Sequence, residues 1–135
     1  MTAFNARTVV IAAAALTARR DTILGQAGLS FAESLALRAV AAGAATPEEV
    51  ATAVVTPNVI DEAQVSAALE KLAAAGLIDG SISATTKGEA LNAQLNAANA
   101  RSSALLLDGI DERDLAVVTR VLELITERSA TPVAL

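Results

Sequence analysis

The side chains able to do chemistry in this sequence are few in kind. Its 135 residues contain neither cysteine nor histidine, which excludes disulfides, thiolate metal sites and the commonest general base. Acids occur in adjacent pairs, Glu48-Glu49 and Asp111-Glu112, but each pair stands where a helix is predicted to start, and the positive end of the dipole favours carboxylates there without any catalytic role. No glycine-rich phosphate loop, nucleophile with a base or ligand cluster is present, so the chain reads as no enzyme, with no catalytic residue, metal or cofactor. Hydrogen bonding and charge remain. Asn58, Gln64 and Ser66 lie around the start of one predicted helix, and Thr46, Thr56 and Ser81 offer hydroxyls beside helix and turn starts. Lys71 and Lys87 are the only lysines, and Arg19, Arg20 and Arg38 are placed to hold a small anion.

The elements that position these groups are mostly helices. Alanine and the aliphatics dominate, only Phe4 and Phe31 are aromatic, and glycine and proline are sparse, the profile of a mainly α protein. A first helix is predicted from about Asn5 to Leu24, apolar nearly all round as if buried on several sides, with Gly25 and Gly28 breaking it. Its apolar run, about eleven residues, is too short to span a bilayer, which takes roughly 20. Arg19-Arg20 stand where a signal-peptide cleavage site would be, so no targeting segment is expected. Ser30 and Glu33 form a capping box opening a second helix that runs to about Ala42 and ends at Gly43. Thr46-Pro47-Glu48-Glu49 starts a short third helix.

The fourth helix is the most informative. From Asp61 to about Ala75, Val65, Leu69 and Leu72 recur at helical spacing, and Gly76 stands where an αL stop is needed. Leu77-Ile78-Asp79 and Ile82-Ser83-Ala84 then flank Gly80-Ser81, read as a two-residue type II′ hairpin with glycine first. Thr85 or Thr86 caps a helix to about Leu107, Asp108-Gly109 turns, and Asp111 caps a last helix. There Leu115, Val118, Leu122 and Ile125 form a seam suited to packing on another helix. A short helix, an amphipathic helix and a small hairpin in that order are the layout of a winged helix-turn-helix, whose second helix enters a DNA major groove. Gln64 has the donor and acceptor for adenine, the hydroxyls of Thr46, Thr56 and Ser81 suit phosphates, and Lys71 and Lys87 add charge. The formal charge of −5 opposes non-specific attraction to nucleic acid or anionic membranes.

Three stretches carry a family resemblance: Ala27-Gly28-Leu29-Ser30 leading into Leu35-Ala36-Leu37-Arg38; Thr46-Pro47-Glu48-Glu49-Val50-Ala51; and Val65-Ser66 through Leu69-Glu70-Lys71-Leu72 to Gly76-Leu77-Ile78, followed by Ala84-Thr85-Thr86-Lys87-Gly88. In order and spacing the chain resembles the multiple antibiotic resistance regulators, the MarR family of winged-helix repressors, over nearly its whole length. The resemblance implies a single domain over residues 1–135, with dimerisation helices at about 5–24 and 86–128 and a winged-helix lobe at about 30–85. It implies an obligate homodimer on a pseudo-palindromic operator, a cytoplasmic location, no membrane partner, and a small anionic effector between arms and lobe, where Arg19, Arg20 and Arg38 would hold it. The sequence departs from the family at the DNA-facing positions. The wing is cut to Gly80-Ser81 without the usual arginine, Ala67 stands where an arginine often follows Ser66, and Gly80 replaces the arginine after the post-glycine strand. Two functions follow: a DNA-binding transcriptional regulator reading mainly through helix 61–75, or a dimeric winged-helix protein-interaction module with weakened or lost DNA binding.

Overall fold

The structure is a computed structural model that describes residues 4–135. Among the described residues six helices follow one another: α1 (Ala6–Ala27), α2 (Phe31–Ala41), α3 (Pro47–Val54), α4 (Glu62–Ala74), α5 (Thr86–Leu107) and α6 (Glu112–Arg128). The chain divides into two compact units, one ending at Ala100 and one running Arg101–Leu135. No helix among the described residues is long and apolar enough to cross a membrane.

The core of the first unit is built by two helices with the same pattern. α2 buries Glu33, Ala36, Leu37 and Val40, and α4 buries Val65, Ala68, Leu69 and Leu72, each at the i, i+3, i+4, i+7 spacing that gives one apolar stripe. The stripes face each other, α3 closes the triangle with Val50 and Val54, and Ile60, Leu77 and Ile78 seal the ends. Leu37 and Leu72 are fully buried, each contributing about 1.5–3 kcal/mol through removal from water.

Capping fixes where these helices start. The Ser30 hydroxyl accepts from the Glu33 N–H at 3.2 Å and donates to the Glu33 carboxylate at 2.8 Å. Thr46 accepts from the Glu49 N–H at 3.1 Å. Asp61 and Gln64 close a second capping box, with Asp61 accepting the Gln64 N–H at 2.8 Å and Gln64 accepting the Asp61 N–H at 2.9 Å. At the far end of α4, Gly76 turns left-handed at φ 73°, and the Leu77 N–H reaches back to the Leu72 carbonyl at 2.9 Å. That is the Schellman closure expected of a glycine in this place.

Two expectations need correction. Gly25 does not break α1, which continues through it to Ala27; Gly28, at φ 70°, is the residue that ends it, because an interior glycine only weakens a helix by about 1 kcal/mol. Within the single chain α1 buries Leu24 alone, so burial on several sides would need another subunit. The hairpin is not a type II′ turn either. Gly80 does not take a positive φ, whereas Ile82 does at 54°. The Asp79 N–H donates to the Ser83 carbonyl at 2.9 Å and the Ile82 N–H to the Asp79 carbonyl at 3.1 Å, giving a three-residue loop with an αL residue last. Asp79 explains the choice. Its Oδ1 accepts from the Ser81 N–H, the Ser81 hydroxyl and the Ser83 N–H at 2.9, 3.0 and 3.2 Å, an Asx turn that overrides the glycine signal. Ile82 then packs against the core, which offsets the strain of a β-branched residue at positive φ. Across the wing, residues 77–85, Ile78 and Ala84 form an antiparallel bridge.

Candidate nucleic-acid interface

The stripe that anchors α4 determines what the helix presents outward. At ~100° per residue, the positions opposite Val65, Ala68, Leu69 and Leu72 are Ala63, Ala67, Glu70 and Ala74, all exposed. The outer crest of the helix is therefore three methyl groups and a carboxylate, with no hydrogen-bond donor. Ser66 lies on the flank toward α3, and Gln64 and Lys71 lie on the other. The spacing of Val65, Leu69 and Leu72 already implies this crest.

Most of the polar groups singled out by the sequence have local work. Gln64 uses Oε1 to cap α4, which competes with bidentate pairing to adenine because that contact needs the same oxygen. Ser81 gives its hydroxyl proton to Asp79, and Thr56 gives its own to the Val54 carbonyl at 3.1 Å. Asn58 occupies the αL position, φ 64°, of the exposed turn bridged by Thr56 and Ile60. The Thr46 oxygen accepts its capping N–H, leaving the hydroxyl proton to donate. Lys87 donates to the Ala75 carbonyl at 3.1 Å, where a cation offsets the negative end of α4. Lys71 stands 4.0 Å from Glu33. Ser66 and Arg38 are exposed. The lobe thus brings Asn58, Gln64, Ser66 and Lys71 to α4 and its approach, and holds Ser81 and Lys87 in the wing and the start of α5.

Charge follows the same trend. Residues 46–88 contain six carboxylates and two lysines, so the potential around α4 opposes phosphate except where Lys71, Lys87 and Arg38 stand. A recess of about 370 Å³ lies on the other side of α4, lined by Arg20, Phe31, Glu33, Gln64 and Lys71 among others. Arg20 stacks on the Phe31 ring, 3.7 Å from its centroid, and meets Asp21 at 3.2 Å. This cation–π contact ties α1 to α2, and neither partner alone signalled it in the sequence. Arg19 and Arg38 do not line that recess.

A tri-helical lobe, a second helix held by one stripe with its outer face open, and a bridged hairpin directly after it define a winged helix-turn-helix. The fold is MarR-like. It superposes on the MarR family protein Rv2887 of Mycobacterium tuberculosis in complex with p-aminosalicylic acid with a TM-score of 0.64, at 20% identity over 92% of this chain and 99% of that one. The same protein in complex with salicylic acid gives a TM-score of 0.61 at 23% identity, with the same coverage. The sequence matches no protein-family model and no curated protein.

Proposed function

We propose that this protein is a homodimeric, DNA-binding transcriptional regulator of the MarR type that reads a pseudo-palindromic operator through α4. The observation carrying the proposal is that α4 is buried on one stripe only, in a lobe whose fold matches a MarR family protein along 92% of the chain. Readout in this proposal is mostly apolar: Ala63 and Ala67 suit thymine methyls, Ser66 and Asn58 lie on the flanks, and Thr46, Lys71 and Lys87 meet phosphates. The protein would act in the cytoplasm, as a regulator rather than an enzyme. Dimerisation rests on apolar surface. α6 buries none of its residues, and Val118, Leu122 and Ile125 stand exposed, as do Val10, Ile11 and Leu16 of α1; a second copy would cover these faces. Because Rv2887 was crystallised with aromatic acids, the Arg20–Phe31–Lys71 recess is the proposed place for a small aromatic carboxylate. The test is a gel shift with DNA upstream of its own gene at two salt concentrations, with salicylate as competitor. A dimer-dependent shift released by salicylate is expected, and its absence at low salt contradicts the proposal.

One observation favours a second reading, a dimeric winged-helix protein-interaction module. A crest of alanines with one glutamate, in a lobe rich in carboxylates, suits a polypeptide partner better than a phosphate backbone.

A further inference from the structure

Lys71 belongs to two sites at once. It is the only cation on α4, hence the one charge this helix can offer a phosphate, and it also lines the recess of about 370 Å³ beside α2. The second cation of the recess, Arg20, is already engaged: it lies 3.7 Å from the Phe31 ring centroid, and its nitrogens meet the Asp21 carboxylate at 3.2 Å. Lys71 is held more loosely. Its Nζ stands 4.0 Å from Glu33 Oε2, beyond hydrogen-bond reach, and that oxygen already accepts the Ser30 hydroxyl at 2.8 Å. The Lys71 side chain is 72% exposed and that of Glu33 11%, so the ammonium is able to swing while the carboxylate is fixed by its capping box. The fixed Glu33 repels a second carboxylate unless a cation stands between them. An anion in the recess therefore needs Lys71 turned toward α2, whereas a phosphate in front of α4 needs it turned outward.

We infer that Lys71 is the residue through which DNA and an aromatic carboxylate exclude each other: the carboxylate draws the ammonium into the recess and takes it from the phosphate. The inference rests on the proposed DNA reading of α4 and the proposed carboxylate recess, and names how the second controls the first. An ammonium neutralised by a carboxylate no longer displaces a counterion at a phosphate, and by linkage DNA weakens the carboxylate by the same factor. The test measures DNA affinity by anisotropy at several salt concentrations, with and without saturating salicylate at fixed total sodium. Amide shifts in the DNA-free protein set saturation for each variant and report where salicylate binds. In the unsubstituted protein salicylate should weaken DNA binding about tenfold or more. It should also flatten the slope of log K against log salt by about 1.8, at about 0.9 for each of two phosphate contacts in a dimer. Lys71→Gln should show the flatter slope without salicylate and respond to it by no more than about twofold, the limit of additivity. Lys71→Arg should restore the response, and Lys87→Gln, outside the recess, should keep it. A Lys71→Gln variant released about tenfold by salicylate, or an unchanged slope in the unsubstituted protein, overturns the inference and leaves both underlying readings standing. Salicylate shifts that miss Arg20, Phe31 and Glu33 overturn the recess reading, and absence of DNA binding at low salt overturns the DNA reading; either takes the inference with it.

Discussion

At Gly88, α5 passes so close to Leu77 that a β-carbon there would collide with the Leu77 carbonyl. Alanine in a helix interior normally gains about 1 kcal/mol over glycine, whereas forced overpacking costs about 1–3 kcal/mol, and here the obstacle is backbone. Gly88→Ala should therefore destabilise the fold in urea unfolding; a higher midpoint would show that the wing is not seated against α5 as described. Asp79 makes a prediction in pH. The Ser81 hydroxyl, then the Ser81 N–H, hold its carboxyl below the ordinary carboxylate range, with the Ser83 N–H assisting and slight desolvation opposing. The stabilisation of the wing is therefore complete above the unfolded pKa of an aspartate and is lost as pH falls through the lowered folded value. An NMR titration followed at the Ser81 amide should give a midpoint below that of an unfolded-chain aspartate, and Asp79→Asn should abolish the transition. A midpoint at or above the ordinary value contradicts the Asx turn. Such details were not legible in the sequence, because Ser81, Thr56 and Lys87 looked available when their partners, Asp79, Val54 and Ala75, could be known only from the folded backbone.

Helix starts were legible because caps are local chemistry: Ser30 with Glu33, Thr46 before Pro47, and Asp61 with Gln64 all bond within three residues. The wing was not, since Gly80-Ser81 carries a strong short-range turn signal that the Asp79 carboxylate overrides by fixing the neighbouring amides. Val65, Leu69 and Leu72 were legible as the anchor of α4, Ala68 joins them only in the structure, and the same periodicity places Ala67 on the open crest. If that crest meets DNA, Ala67→Arg adds one cation per lobe, two per dimer. The slope of log K against log salt should then steepen by about 1.8, at about 0.9 per phosphate contact. Anisotropy titrations at several salt concentrations measure this directly. An unchanged slope and affinity would place the crest away from phosphates and favour the protein-interaction reading.

Assembly is a property of the whole molecule, and the seam predicted for α6 remains uncovered within the chain, with Val118 51% and Leu122 39% exposed. Val118→Asp/Leu122→Asp should convert a dimer into a monomer in sedimentation while leaving the lobe folded, because charge at such a seam must be desolvated to associate. A unaltered protein that sediments as a monomer at micromolar concentration would remove the dimer from the proposal. Dimerisation would also set the scale of the proposed DNA affinity. With about two or three cations per lobe able to reach phosphates, among them Lys71, Lys87 and Arg38, the proposed dimer would neutralise roughly four to six phosphates. The most direct test of DNA binding through α4 is therefore a salt titration of the unsubstituted protein on DNA from its own upstream region. Specific binding at low salt is expected, with log K falling by no more than about 5 per decade of salt. No binding at low salt, or a slope of about 8 or more, would contradict it.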